Sequence, residues 1–241
     1  MPKAAVVWCR YARSMLQIAR CPIFLSPPAA AERHPCARIL GEQSAVENRQ
    51  VPEPARGDLH APLLFISSNP SIDACDDSPR ESADDATIAS YFRSLPECFP
   101  RIPTADGETK HVRYWGSVLR WARVLFGRQD VAPGTDFALT EVVHCKSARE
   151  RGVRTALPIC TLLHLKPLLD ASNARALVAV GAHAMRTLDV SPGAFLWDVI
   201  PGKLVLALPH PGAHLPKNAL RGPLHLYTAH QRRSIARLLG T

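Results

Sequence analysis

The chain has 241 residues, enough to bury one sizeable core and too few for more than two small domains. Hydrophobic residues make up 46%, charged residues 21% and aromatics 6%, which sets aside fibrous and largely disordered classes. Lys plus Arg number 29 against 21 acids, a formal charge of +8, and 23 of the 29 are arginine. Guanidinium groups grip phosphate through two parallel hydrogen bonds, so nucleic acid is the first partner to test.

No run approaches the roughly 18 apolar residues of a membrane span, and the start MPKAAVVWCRYARSM lacks both an apolar signal core and a small-residue cleavage site. The expectation is a cytoplasmic monomer with no membrane partner. Seven cysteines, an odd number, read in a reducing compartment as core residues, metal ligands or redox groups, with no structural disulfide.

In chain order, an apolar and basic stretch from Ala4 to Ala19 suits one helix, and the proline-rich segment after it stops any helix. Leu63 to Ser67 (LLFIS) is a short apolar run ending in Asn69-Pro70, the mark of a buried strand and a tight turn. Asp73 to Asp85 holds six acids and one arginine and reads as a solvated loop able to keep DNA off one edge. Tyr114 to Phe126 places Trp115, Val118, Leu119, Ala122 and Leu125 on one helical face before Gly127. FALTEVVHC is the next strand, followed by a helix over Arg154 to Leu169 with Leu157, Leu162, Leu165 and Leu169 inward. ALVAV then leads into the helix AHAMRTL, KLVLALPHP is a fourth strand, and LHLYTAHQRRSIARLL closes the chain as an amphipathic helix.

Apolar strands alternating with helices predict a three-layer α/β/α sandwich around a mostly parallel sheet of four core strands. One domain spans 1–241, with an N-terminal helix and irregular segment over 1–60 and the α/β core over 61–241. In such sheets ligands bind at the carboxyl ends of the strands. Attention therefore falls on Ser67 to Ser71, Glu141 to Lys146, Gly181 to His183 and His210 to His214, where an amide, a carboxylate and histidines converge without a P-loop or GxGxxG motif.

The ordered set SSNPS, TEVVHC with a second cysteine in the next helix, ALVAVGAHA and PHPGAHLP resembles the uracil-DNA glycosylase superfamily over roughly Leu63 to Leu239. The resemblance implies that double-stranded DNA is the partner, that Asn69 positions the attacking water and that His210 stabilises charge on the departing base. The chemistry agrees: an N-glycosidic bond breaks through an oxocarbenium-like state, which needs an extruded nucleotide, a placed water and a donor for the leaving base. Read alone, Asn69 is a turn former at a strand end, and His210 is equally a satisfied loop histidine.

In the iron-sulfur branch the strand before the cysteine resembles NVVKC, with an Asn that reads the pyrimidine edge; Glu141 stands there in this chain. An ionised carboxylate only accepts, which suits the N4 amine of cytosine, although Glu141 could equally pair with an arginine. Ser68 and Ser71 also depart from the family pattern, with Ser68 at the base. A glycosylase acting on plain cytosine would destroy its own genome, so the expected target is a modified cytosine, such as the glucosylated hydroxymethylcytosine of phage DNA that one member of the superfamily removes. The polar stretch Asp73 to Thr109 could line a pocket for its substituent, and Phe92 or Tyr91 could stack on the base.

Cys145 and Cys160 lie where the iron-sulfur branch carries two ligands, and Cys21 and Cys36 repeat their spacing; the four could hold a structural [4Fe-4S] cluster, or be buried thiols. The tight N-terminal CxxC of the branch is missing, and Cys9, Cys75 and Cys98 read as structural. No catalytic metal is expected. Leu215 sits where the resemblance puts the wedge that fills the gap left by a flipped base. His214, Lys217, Arg221, Arg149, Arg151 and Arg154 follow strand ends as phosphate contacts. The alternatives are a uracil or hypoxanthine repair glycosylase, an inert lesion-binding module and, more remotely, an RNA-binding protein.

Overall fold

The structure, a computed structural model, describes residues 15–26, 33–43, 49–72, 76–213 and 223–240. Its helices are α1 (residues 15–19), α2 (Pro22–Leu25), α3 (Ala37–Gln43), α4 (Asp85–Cys98), α5 (Arg113–Phe126), α6 (Val153–Cys160), α7 (Lys166–Ala171), α8 (Gly181–Thr187) and α9 (Ala229–Leu239). Its strands are β1 (Leu63–Ser67), β2 (Arg101–Pro103), β3 (Thr109–His111), β4 (Phe137–Glu141), β5 (Ala176–Val180), β6 (Phe195–Ile200) and β7 (Lys203–Leu208).

Short apolar runs without polar alternation are buried on both faces, and every residue of β1, β4 and β5 is buried. They belong to a sheet of order β4-β1-β5-β7-β6, parallel except for β6. Successive side chains of a strand leave on opposite faces, so the sheet feeds two cores. Phe65, Leu139, Val178 and Leu206 join the apolar faces of α4, α5 and α9. Leu64, Ala138, Leu177 and Val205 join α2, α3 and α6 to α8.

The sheet has five strands where four were expected. The fifth, β6, runs antiparallel on the edge; its residues are exposed or half-buried, and Asp198 at φ 61° breaks its register with β7 between Trp197 and Ile200. Helix α4 and the β2–β3 hairpin were also unforeseen. The acidic run is a loop up to Asp84 with Asp77, Asp84 and Asp85 exposed, but most of its described acids have structural partners: Asp84 accepts from the Thr87 N–H at 2.7 Å as the cap of α4, Asp85 pairs with Arg20 at 2.9 Å, Glu81 pairs with Arg49, and Asp76 is buried, while Asp73 lies outside the described residues.

The expected helix over Arg154 to Leu169 is interrupted by a π-turn at Thr161–Leu165, in which the Lys166 N–H bonds to the Thr161 carbonyl. Pro167, without an N–H, follows at once. The wider turn shifts the helical phase, so Leu165 and Leu169 are buried while Leu162 is 63% exposed and Leu157 half-buried. Strand β4 stops at Glu141, and the closing helix starts only at Ala229, where Thr228 and Gln231 form a capping box after a 3₁₀ turn at Pro223–Leu226. Helix α5 ends in Gly127 at φ 69°, as its sequence indicated. The expected N-terminal helix is seen over residues 15–19, and its earlier part lies outside the described residues. No helix among the described residues is long and apolar enough to cross a membrane.

Candidate active site

The carboxyl ends of β1, β4 and β7 surround a cavity of about 450 Å³, closed by the start of α5 and by the β2–β3 hairpin. Ser68, Asn69, Glu141 and His210 all line it. A second, more open cavity of about 620 Å³ shares Ser68, Asn69 and His210 and continues to Arg149, Glu150 and the start of α8.

Asn69 is half-buried, and its side-chain N–H groups reach the Pro70 carbonyl at 2.9 Å, Ser147 Oγ at 3.0 Å and the Cys145 carbonyl at 3.5 Å. The amide nitrogen is thereby tied to the loop after β4, which leaves Oδ1 as the group able to accept from a water. The His210 ring lies parallel to Tyr114, with 5.5 Å between centroids. Its Nδ1 accepts from the Gly212 N–H at 3.1 Å, which puts the proton of the neutral ring on Nε2. Partial burial lowers its pKa, opposed by the negative charge of Glu150, while the residue as a whole is exposed. The neutral ring can thus donate from Nε2.

Glu141 is 5% exposed, and its Oε2 is buried without a hydrogen-bond partner. Beneath it lies a charged network that sequence reasoning missed. Glu53 pairs with Arg56, whose guanidinium lies 3.9 Å over the Trp115 ring. Lys146 donates to Ser78 Oγ and stands 3.7 Å from Glu53 Oε2. Burial pushes the Glu141 carboxyl well above the usual range, Glu53 adds to the shift, and Arg56 and Lys146 oppose it. The Tyr114 phenol is likewise raised by burial, and the Lys146 ammonium is lowered by it. On the hairpin wall Lys110 pairs with buried Asp76 at 3.2 Å. The one sequence signal for Arg56 was a charged residue inside the proline-rich QVPEPARG segment.

At the rim, Ser68 Oγ hydrogen-bonds the Glu150 carboxylate, and His183 Nε2 lies 3.7 Å from the other oxygen. Arg149 (φ 51°, ψ 40°) and Glu150 (φ 58°) are successive non-glycine residues in the left-handed region, which costs roughly 1–2 kcal/mol for each.

Phe92 does not line the cavity. It is 1% exposed in the core beneath the sheet, on the inner side of a helix the sequence did not reveal, so it is a packing residue and not a base-stacking one. Tyr91 is half-buried with its hydroxyl 3.4 Å from Ser78 Oγ. Arg151 pairs with Glu42 at 3.4 Å, Arg154 is exposed on α6, and Arg149 lines the open cavity. His214, Leu215, Lys217 and Arg221 lie outside the described residues.

Cys21, Cys36, Cys145 and Cys160, all buried, line one small apolar pocket with His144 and His164. They come from the start of α2, the residue before α3, the loop after β4 and the end of α6. Burial raises each shifted thiol and the neighbouring thiols add to it: Cys36 to about 11, Cys160 to about 12, and Cys145 in the same direction. Mutually opposed thiols in an apolar pocket stay protonated unless a cation takes up their charge. Among the described residues no group of three or more His, Cys, Asp or Glu side chains is already arranged to hold a metal ion. The chain matches no family model and no curated protein.

Proposed function

We propose that the chain is a DNA glycosylase that flips a base out of the duplex into the cavity of about 450 Å³ and hydrolyses its N-glycosidic bond, leaving an abasic site. The observation that carries the reading is that Asn69 and His210, 141 positions apart, border one cavity with a carboxyl group on its floor. Asn69 Oδ1 holds the water. His210 donates from Nε2 to the base as the electron pair of the broken bond moves onto it, and it does so as a neutral ring.

Glu141 reads the base edge. Ionised, it accepts from the N4 amine of cytosine, and a cavity of about 450 Å³, within the range that takes a drug-sized ligand, leaves room for a substituent toward Asp76 and Lys110. A modified cytosine, including the glucosylated form in phage DNA, is the base this supports. The raised pKa of Glu141 favours a second reading: a neutral carboxyl also donates, which serves uracil in a repair enzyme. In the same proposal Cys21, Cys36, Cys145 and Cys160 hold a structural [4Fe-4S] cluster.

Duplexes containing uracil, hypoxanthine, hydroxymethylcytosine or glucosylated hydroxymethylcytosine, scored for abasic sites, test the proposal. Release of a cytosine derivative supports the first reading, and uracil release at an equal rate replaces it with the second. Tight binding to the duplexes without release of any base makes the chain a lesion-binding module.

A further inference from the structure

We infer that Glu150 is the catalytic carboxylate of the site, facing the positive charge that develops on the deoxyribose and taking the proton of the attacking water. The inference rests on the glycosylase reading and adds a residue to it. Asn69 can hold a water, but its amide is neutral and cannot accept the water's proton. Glu141 lies on the buried floor as the base reader of that proposal and does not line the open cavity. Asp76, also in the cavity lining, is buried and paired with Lys110. Glu150 stands at the mouth: it lines the open cavity together with Asn69 and His210, and its side chain is 49% exposed.

Glu150 is also held for the purpose. Ser68, next to Asn69 at the end of β1, donates to one carboxylate oxygen, and His183 of α8 approaches the other. The backbone reaches that position through two successive left-handed residues, Arg149 and Glu150, a conformation kept only where surrounding structure enforces it and concentrated at functional sites. The titratable groups beside Glu150 are His183 and His210, and Arg149 lines the same cavity.

The step balances. The C1′–N bond breaks with its electron pair going to the base, whose charge meets His210 Nε2–H. The water oxygen bonds to C1′, its proton passes to Glu150, and that proton leaves to the released base or to solvent.

The test does not require knowing the base. Duplexes carrying a pyrrolidine abasic analogue, cationic at the ring nitrogen, and its neutral tetrahydrofuran counterpart are bound to wild-type protein and to Glu150→Gln and Glu150→Asp. Wild type should prefer the cation by roughly ten- to a hundredfold, the worth of one charged hydrogen bond. Glu150→Gln, which keeps a partner for Ser68, should lose the preference without weakening the neutral analogue, and Glu150→Asp should retain part of it. An equal preference in wild type and Glu150→Gln, or no preference in wild type, overturns the inference alone. If wild type binds neither analogue better than undamaged duplex, the glycosylase reading falls with it.

Discussion

Ser67 and Glu141 are register partners on the parallel strands β1 and β4, so the strand leading into Asn69 ends beside the carboxyl group on the cavity floor. Position along the sheet, and not proximity in sequence, brings the Asn69 amide and the Glu141 carboxyl to one cavity.

The protonation state of Glu141 should therefore set base choice. Its folded pKa is raised, so the neutral form, donor and acceptor at once, prevails below that value and the ionised acceptor above it. The ratio of uracil to cytosine-derivative excision should fall as pH rises, by up to roughly ten- to a hundredfold, the effect of leaving one buried polar group unpaired. Glu141→Asn should favour uracil and remove the pH dependence. A wild-type ratio that is constant with pH contradicts the assignment of Glu141 as the base reader.

The same raised pKa makes a prediction about stability. A group whose folded pKa lies above its unfolded value contributes stability at low pH and loses it as pH rises through the folded value. Melting temperature followed against pH should thus decline on the alkaline side in wild type and decline less in Glu141→Gln, which cannot ionise. Parallel curves would mean that Glu141 ionises equally in both states.

Phe92 separates packing from recognition. Truncating a fully buried aromatic costs about 3–5 kcal/mol, so Phe92→Ala should lower the unfolding free energy by that order while leaving the ranking of substrate bases unchanged. A changed ranking in folded Phe92→Ala would return it to the base-binding wall.

What the sequence made legible is what short-range pattern encodes. Strands β1, β4, β5 and β7 carry apolar runs, and strand ends draw attention to Asn69, Glu141 and His210. Strand β6 stayed hidden because an exposed edge needs no apolar alternation and Asp198 interrupts it. Helix α4 stayed hidden because acids fill its start and Pro96 its last turn, so it resembles a loop. Arg56, Lys146 and Glu150 acquire their roles from partners far along the chain: Trp115, Ser78 and Ser68 respectively. No local pattern announces such pairs.

The cysteine pocket shares a loop with the candidate active site, since Cys145 lines the pocket while its carbonyl and Ser147 receive the Asn69 amide. Anaerobically purified protein should be brown, with iron and sulfide near four per chain, as a [4Fe-4S] centre requires. Cys145→Ser should lower both contents and slow excision together. Colourless, iron-free, fully folded protein would leave the four cysteines as core residues.

Single-turnover release of free base from duplex DNA, compared among wild type, Asn69→Ala and His210→Ala, tests the central claim most directly. Each variant should lose about a hundredfold or more in rate, by analogy with removing one donor that meets developing charge, while duplex binding is retained. The wild-type rate should not fall as pH rises through the ordinary histidine range, because a lowered pKa means His210 donates in its neutral form. Unchanged rates in both variants, or no base released by wild type from any duplex of the panel, would contradict the account.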